Sequence, residues 1–107
     1  MTGIGRLRER VILEAPVETA DGAGGVTRGY AAQATLWAEV VPIGAKSEVV
    51  ADARGANVTH RITIRGGVEV TVRHRFRLGA RILDVVTVRD GDPQRRLILI
   101  EARERID

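Results

Sequence analysis

His60, His74, a single serine (Ser47) and 14 carboxylates are what this 107-residue chain offers for acid–base or nucleophilic chemistry. A metal centre needs three or more ligands. With no cysteine in the chain, the two histidines need a carboxylate such as Asp84, brought close by folding, to complete one. Ser47 has no Gly-x-Ser-x-Gly elbow around it. The carboxylates stand singly among arginines, where ion pairing keeps them ionised and makes them poor general acids. The glycine-rich run Asp21–Gly25 lacks the Lys-Ser/Thr pair that a phosphate-cradling P-loop requires. No active site, metal or cofactor is expected. What the chain does concentrate is arginine: of 17 basic residues only Lys46 is lysine. Guanidinium forks suit fixed contacts with carboxylates or phosphates better than lysine does.

Strands must position those arginines. From Asn57 to Leu78 apolar and polar residues alternate with period two on both sides of Gly66-Gly67, which predicts two strands joined by a glycine turn. Val58, Ile62 and Ile64, then Val68, Val70, Val72, Phe76 and Leu78, are expected to face inward. Arg61, Arg65, Arg73, Arg75 and Arg77 line the opposite faces, while His60 and His74 fall at strand ends on the inward side. The first strand is expected over Arg6–Glu14, with Leu7, Val11 and Leu13 inward and Pro16 ending it, since proline donates no ladder hydrogen bond. Residues 17–29 read as a flexible loop, the glycine-rich part from Thr19 to Gly29 being a hairpin tip. Ala34–Ile43 predicts a strand with Leu36, Ala38 and Val40 inward and Trp37 and Glu39 outward. Lys46–Arg54 has the make-up of a short helix ended by Gly55, inside a long loop over 44–57. Further strands are expected over Arg81–Arg89 and Arg95–Arg103, with the apolar run Leu97–Ile100 buried on both faces and an Asp90–Pro93 turn between them.

Apolar residues make up 44% of the chain but aromatic ones only 3%, so the core must be aliphatic and largely β-branched. The expected fold is all-β: one domain over 1–107, a small antiparallel barrel or sandwich of about six strands, with one long loop carrying a short helix. No run approaches the roughly 20 apolar residues that span a bilayer, and the N-terminus has no signal-peptide core, so no membrane partner is expected. Two classes of function remain after enzymes. A nucleic-acid-binding barrel would use a basic groove with aromatic stacking platforms. The basic face exists, but Tyr30, Trp37 and Phe76 are the whole aromatic inventory. An assembly protein would instead set arginines against neighbouring carboxylates, in bidentate contacts of defined geometry.

Several segments, taken in order, decide between these classes. Gly5-Arg6-Leu7-Arg8-Glu9-Arg10-Val11, the Asp21–Val26 turn, Leu36-Trp37-Ala38-Glu39-Val40 followed by Pro42, Gly44 and Glu48, Thr59-His60-Arg61-Ile62-Thr63-Ile64-Arg65, Arg73, and Gly79-Ala80-Arg81-Ile82-Leu83-Asp84-Val85 together resemble the phage head–tail joining proteins, also called head-closure or stopper proteins. The resemblance covers almost the whole chain. It departs after the Thr-His-Arg strand, where Gly66-Gly67 replaces the family's aromatic-rich stretch.

That resemblance implies a structural protein of a phage, prophage or gene-transfer-agent neck, assembled in the bacterial cytoplasm. Its implied partners are further copies of itself in a dodecameric ring, a portal-bound adaptor, and a tail terminator or tail tube protein. Double-stranded DNA would pass through the ring. Gly44–Asn57, with Lys46, Ser47, Glu48, Asp52 and Arg54, corresponds to the family's channel-gating loop. Trp37, Glu39, Arg61, Arg65, Arg73, Arg75 and Arg77 become candidate contacts with subunits or neighbours.

Overall fold

A computed structural model describes residues 7–43, 58–91, 94 and 96–105. It contains six strands: β1 (Glu9–Ala20), β2 (Val26–Pro42), β3 (His60–Arg65), β4 (Arg75–Leu78), β5 (Arg81–Asp90) and β6 (Leu97–Glu104). All neighbours pair antiparallel, and the sheet closes into a barrel in the order β1-β2-β3-β6-β5-β4. No helix occurs among the described residues; the short helix expected at Lys46–Arg54 lies outside them.

The barrel interior is filled from alternate positions, as period-two burial dictates. Val11 and Leu13 on β1, Ala38 on β2, Ile62 and Ile64 on β3, Phe76 on β4, Leu83 and Val85 on β5, and Ile100 and Ala102 on β6 form one buried cluster. Leu36 and Val40 pack against it from their predicted side. In the final strand Ile98 and Ile100 go inward. Leu97 and Leu99 lie on the other side and are only half-buried, so the expected two-sided burial is incomplete.

The Gly66-Gly67 hairpin does not form. β3 pairs with β2 and β6, whereas β4 pairs with β1 and β5, three places away around the barrel. Gly66 N–H donates to the Arg96 carbonyl at 2.8 Å, and Gly67 adopts φ +98, which lets the chain leave the sheet. Residues 68–74 then cross from one side of the barrel to the other. The alternation in this stretch has a different cause from the one expected. Val68 packs on the core and Val70 is buried in it, but Val72 is 46% exposed.

The first hairpin is longer than expected. β1 continues through Pro16 to Ala20, and β2 begins at Val26, so only Asp21–Gly25 is a turn and most of 17–29 is strand. Asp21 Oδ1 accepts hydrogen bonds from the Ala23 and Gly25 amides at 2.8 and 3.0 Å, with Gly22 and Gly24 at positive φ. β4 accompanies β1 only over Ile12–Glu14, and β3 accompanies β2 only from Ala38. Between these limits the hairpin stands clear of the barrel as a two-stranded arm, roughly 20 Å long at about 3.3 Å per residue. Pro16 is tolerated because the ladder here is one-sided.

Candidate assembly surfaces

The site is built outward from the seam where β4 joins β1. The unbroken β1–β4 register sets Glu14 opposite Arg75, with Arg77 two residues along the same strand on the outer side. Arg75 Nε donates to Glu14 Oε1 at 2.6 Å and Arg77 Nε to Glu14 Oε2 at 3.1 Å. The Glu14 and Arg75 side chains are 8% and 12% exposed, so this pair is largely out of water. Burial alone would raise the Glu14 pKa, but the bonds and charges of the two arginines outweigh it and hold it below the ordinary value. The Arg75 guanidinium also covers the Tyr30 ring at 3.8 Å from its centroid. Two of the arginines predicted to meet a neighbour therefore have an internal partner first.

The two histidines stabilise structure at opposite places. His74 Nδ1 accepts the Thr71 amide at 3.1 Å, while Nε2 reaches Gln33 Oε1 at 3.0 Å. Together with Arg75 on Tyr30, this braces the root of the arm against the barrel. His60, buried at the start of β3, sits 2.9 Å from Thr59 Oγ1 through Nδ1 and accepts from Arg81 Nη2 at 3.1 Å through Nε2. Burial and the Arg81 charge push its pKa down, with Glu104 opposing them. Arg81 is held by Glu104 through two 3.0 Å bonds. Neither histidine gathers with other ligands, and no group of three metal-binding side chains occurs among the described residues.

The remaining candidates occupy the outer wall. Trp37 is 52% exposed, with Arg10 over its ring at 4.7 Å, and shares a cleft with Arg65, Arg8 and Val68. Glu39 lies opposite Thr63, and Arg61 lies between Val41 and Glu101 in the cross-strand register. Arg61 and Arg65 are exposed and make no ion pair among the described residues. Arg73 lines a separate cleft between the arm and the barrel, along with Arg75. The structure thus splits the predicted arginine face into two surfaces and one internal seam. Lys46, Ser47, Glu48, Asp52 and Arg54 lie outside the described residues.

The aromatic side chains are poor stacking platforms. Tyr30 and Trp37 each have an arginine over the ring, and Phe76 is wholly buried. Sequence reasoning missed Glu14, Gln33, Tyr30 and Val17 as members of these surfaces. Their roles depend on the β1–β4 pairing for Glu14, on the bulge at Gln33 and on the arm, and the Asp-Gly turn was the one local signal that a hairpin was present.

The base of the long β2–β3 connection is firmly held. Pro42 pairs with His60, and Ile43 N–H donates to the Thr59 carbonyl at 2.8 Å. Thr59 N–H donates to the Ala102 carbonyl at 2.9 Å, and Thr59 Oγ1 accepts from Glu104 N–H at 2.7 Å. Val58, Val86 and Ile43 form a small apolar cluster beside this clamp.

Comparison with known proteins gives a consistent result. Residues 3–105 match the family described as phage head completion protein. A chain from a structure titled as the virion of a native gene transfer agent particle is 31% identical, with TM-score 0.68, covering 92% of this chain and 94% of that one. The solution structure of protein SF1141 from Shigella flexneri 2a is 28% identical, with TM-score 0.77, covering 96% of each chain. No curated protein gives a significant match.

Proposed function

Because the chain belongs to the phage head completion protein family, we propose that it is a structural head–tail connector. In this reading it forms a ring beneath the portal and its adaptor, closes the DNA channel, and presents the docking surface for the tail. It works without catalysis or cofactor, inside the neck of a phage or gene-transfer-agent particle. The likeness over nearly the full chain to a component of a gene-transfer-agent virion supports that location.

One observation carries the gating part. β2 and β3 pair directly at Pro42 and His60, where a two-residue turn would suffice to join them, yet the connection runs from Ile43 to Thr59. A long excursion between two clamped strand ends adds nothing the barrel needs, and long loops in compact domains are commonly functional. It is suited to act as a gate carried on the hydrogen-bonded base at Ile43, Thr59 and Glu104. Deleting residues 46–54 tests this. The barrel is expected to remain folded by circular dichroism and thermal melting, while particles built with the variant lose packaged DNA. Full retention of DNA by those particles would reject the gate.

A further inference from the structure

One closed circuit of hydrogen bonds pins the chain just ahead of β3. Glu104 N–H donates to Thr59 Oγ1 at 2.7 Å, and Thr59 Oγ1 lies 2.9 Å from His60 Nδ1. Arg81 Nη2 reaches His60 Nε2 at 3.1 Å and Glu104 Oε1 at 3.0 Å, while Arg81 Nε donates to Glu104 Oε2 at 3.0 Å. The path leaves Glu104 by its backbone and returns to the same residue by its carboxylate. It ties the start of β3, the start of β5 and the end of β6 together at one end of the barrel.

The proton positions follow from the chemistry of the groups. A guanidinium only donates, so His60 Nε2 accepts and the single proton of the neutral ring sits on Nδ1. Nδ1–H then donates to Thr59 Oγ1, whose two lone pairs are taken by this proton and by the Glu104 amide. A second proton on His60 has only Nε2 to occupy, where it meets an Arg81 N–H instead of a lone pair. Arg81 is held by its two bonds to Glu104, so the histidine ring is the member that yields. Its movement withdraws the Nδ1 proton from Thr59.

The charges around His60 set the direction. Burial, then the Arg81 charge on β5, disfavours a second proton in the closed circuit. Glu104 on β6 favours one, but both its oxygens already accept from Arg81. Glu9 on β1 acts on Arg81, and Pro42 and Ala102, opposite His60 on β2 and β6, carry no charge. The ring therefore takes a proton more readily once it has left the circuit for water, and acid favours the open form.

We propose that this circuit is a proton-operated latch: a second proton on His60 releases Thr59 from Glu104 and unpins the chain ahead of β3 while the barrel stays closed. The bonds from Thr59 N–H to the Ala102 carbonyl and from Ile43 N–H to the Thr59 carbonyl are then left to hold that segment. What the release does to a channel depends on the proposed gate; the latch itself does not.

Nuclear magnetic resonance on the full chain tests this. The pH is lowered from neutrality into the interval between the ordinary histidine value of 6.5 and the ordinary glutamate value of 4.5, where Glu104 keeps its charge. At neutrality the His60 nitrogen shifts should place the ring proton on Nδ1. As His60 titrates, hydrogen-exchange protection of the Glu104 amide should fall at least about threefold in all, and by no more than about tenfold per pH unit, the limit for one proton. Protection at Ile62 and Ile100 should hold. His60→Gln should abolish the pH dependence, whereas His74→Gln should leave it intact. A total change below about threefold, a ring proton on Nε2, equal loss at Ile62 and Ile100, or persistence of the effect in His60→Gln would each overturn the proposal. If His60→Gln does not fold, the wild-type ring proton and the Glu104 titration decide the matter without it. Glu104 protection that falls with His60 while particles keep their DNA at the same pH would uphold the latch and count against the gate alone.

Discussion

Glu14 Oε1 accepts a 2.6 Å hydrogen bond from Arg75 Nε across the seam that closes the barrel between its first and fourth strands. Because Arg77 binds the other oxygen, one carboxylate bridges two guanidinium groups at a place where only three residue pairs join the strands. Removing one member of a buried pair leaves its partners uncompensated. Glu14→Gln is therefore expected to lower unfolding free energy by about 2–4 kcal/mol, discounted because Arg77 is partly solvated. Urea denaturation measures it, and a loss under about 0.5 kcal/mol, the usual scatter of surface substitutions, would show the seam to be unimportant.

The same contact separates two arginines that the sequence makes look alike. Arg61→Glu alters an exposed side chain with no ion pair among the described residues, so the monomer should keep its stability within about 0.5 kcal/mol while particle assembly falls. Arg75→Glu sets a second carboxylate beside Glu14 and should unfold the chain or lower its stability severely. Thermal melts of both variants beside particle yields distinguish the cases. Equal melting temperatures would contradict the assignment.

Acid should act in two windows. His60 has a depressed pKa in the folded chain, so the unfolded chain binds its proton more readily and stability falls as pH drops below the ordinary value of 6.5. Glu14 has a depressed pKa too, but its charged form is the one the fold favours. Its contribution is complete above the ordinary value of 4.5 and disappears as pH falls through the lower folded value. Melting temperature should decline first as pH falls below the ordinary histidine value of 6.5, then again as it falls below the ordinary carboxylate value of 4.5. His60→Gln should flatten the first decline alone and Glu14→Gln the second. A single transition unaffected by either substitution would refute this.

Thr59 tests whether the base of the long connection is as rigid as its bonds imply. Thr59→Val keeps the shape but deletes the oxygen that accepts from the Glu104 amide and meets His60. Leaving those groups unsatisfied should cost about 1–3 kcal/mol. Hydrogen exchange should quicken at Glu104 and Thr59 before it does so in the barrel core. Unchanged exchange at both amides would show that the clamp lies elsewhere.

Barrel class, strand number and most inward residues were legible because period-two burial is written locally, in Val11 and Leu13 or in Ile62 and Ile64. Strand partners were not. Nothing in Ile64 or Phe76 says which strand each will meet, and Gly66-Gly67 resembles a hairpin turn although it serves as an exit from the sheet. Val70 kept the alternation going across that exit by filling the barrel from a crossover. Pro16 misled for a related reason: its effect depends on whether a strand lies on both sides, which is a property of the arm. The outward candidates Trp37, Arg61 and Arg65 needed only the pleat, and they are where the pleat puts them. The Glu14–Arg75 seam needed the β1–β4 pairing, which leaves no local mark.

Pro16 has one more consequence. Beyond Glu14 the arm exposes a strand edge with no neighbour among the described residues, and identical exposed edges brought close together tend to template one another into open-ended stacks. In the proposed ring, copies of this arm would be brought close together, which is where such runaway polymerisation would begin. A residue without an N–H interrupts the row of donors that a foreign strand would have to follow. Proline in this position lets the arm reach outward as a strand while denying other strands a continuous ladder to copy.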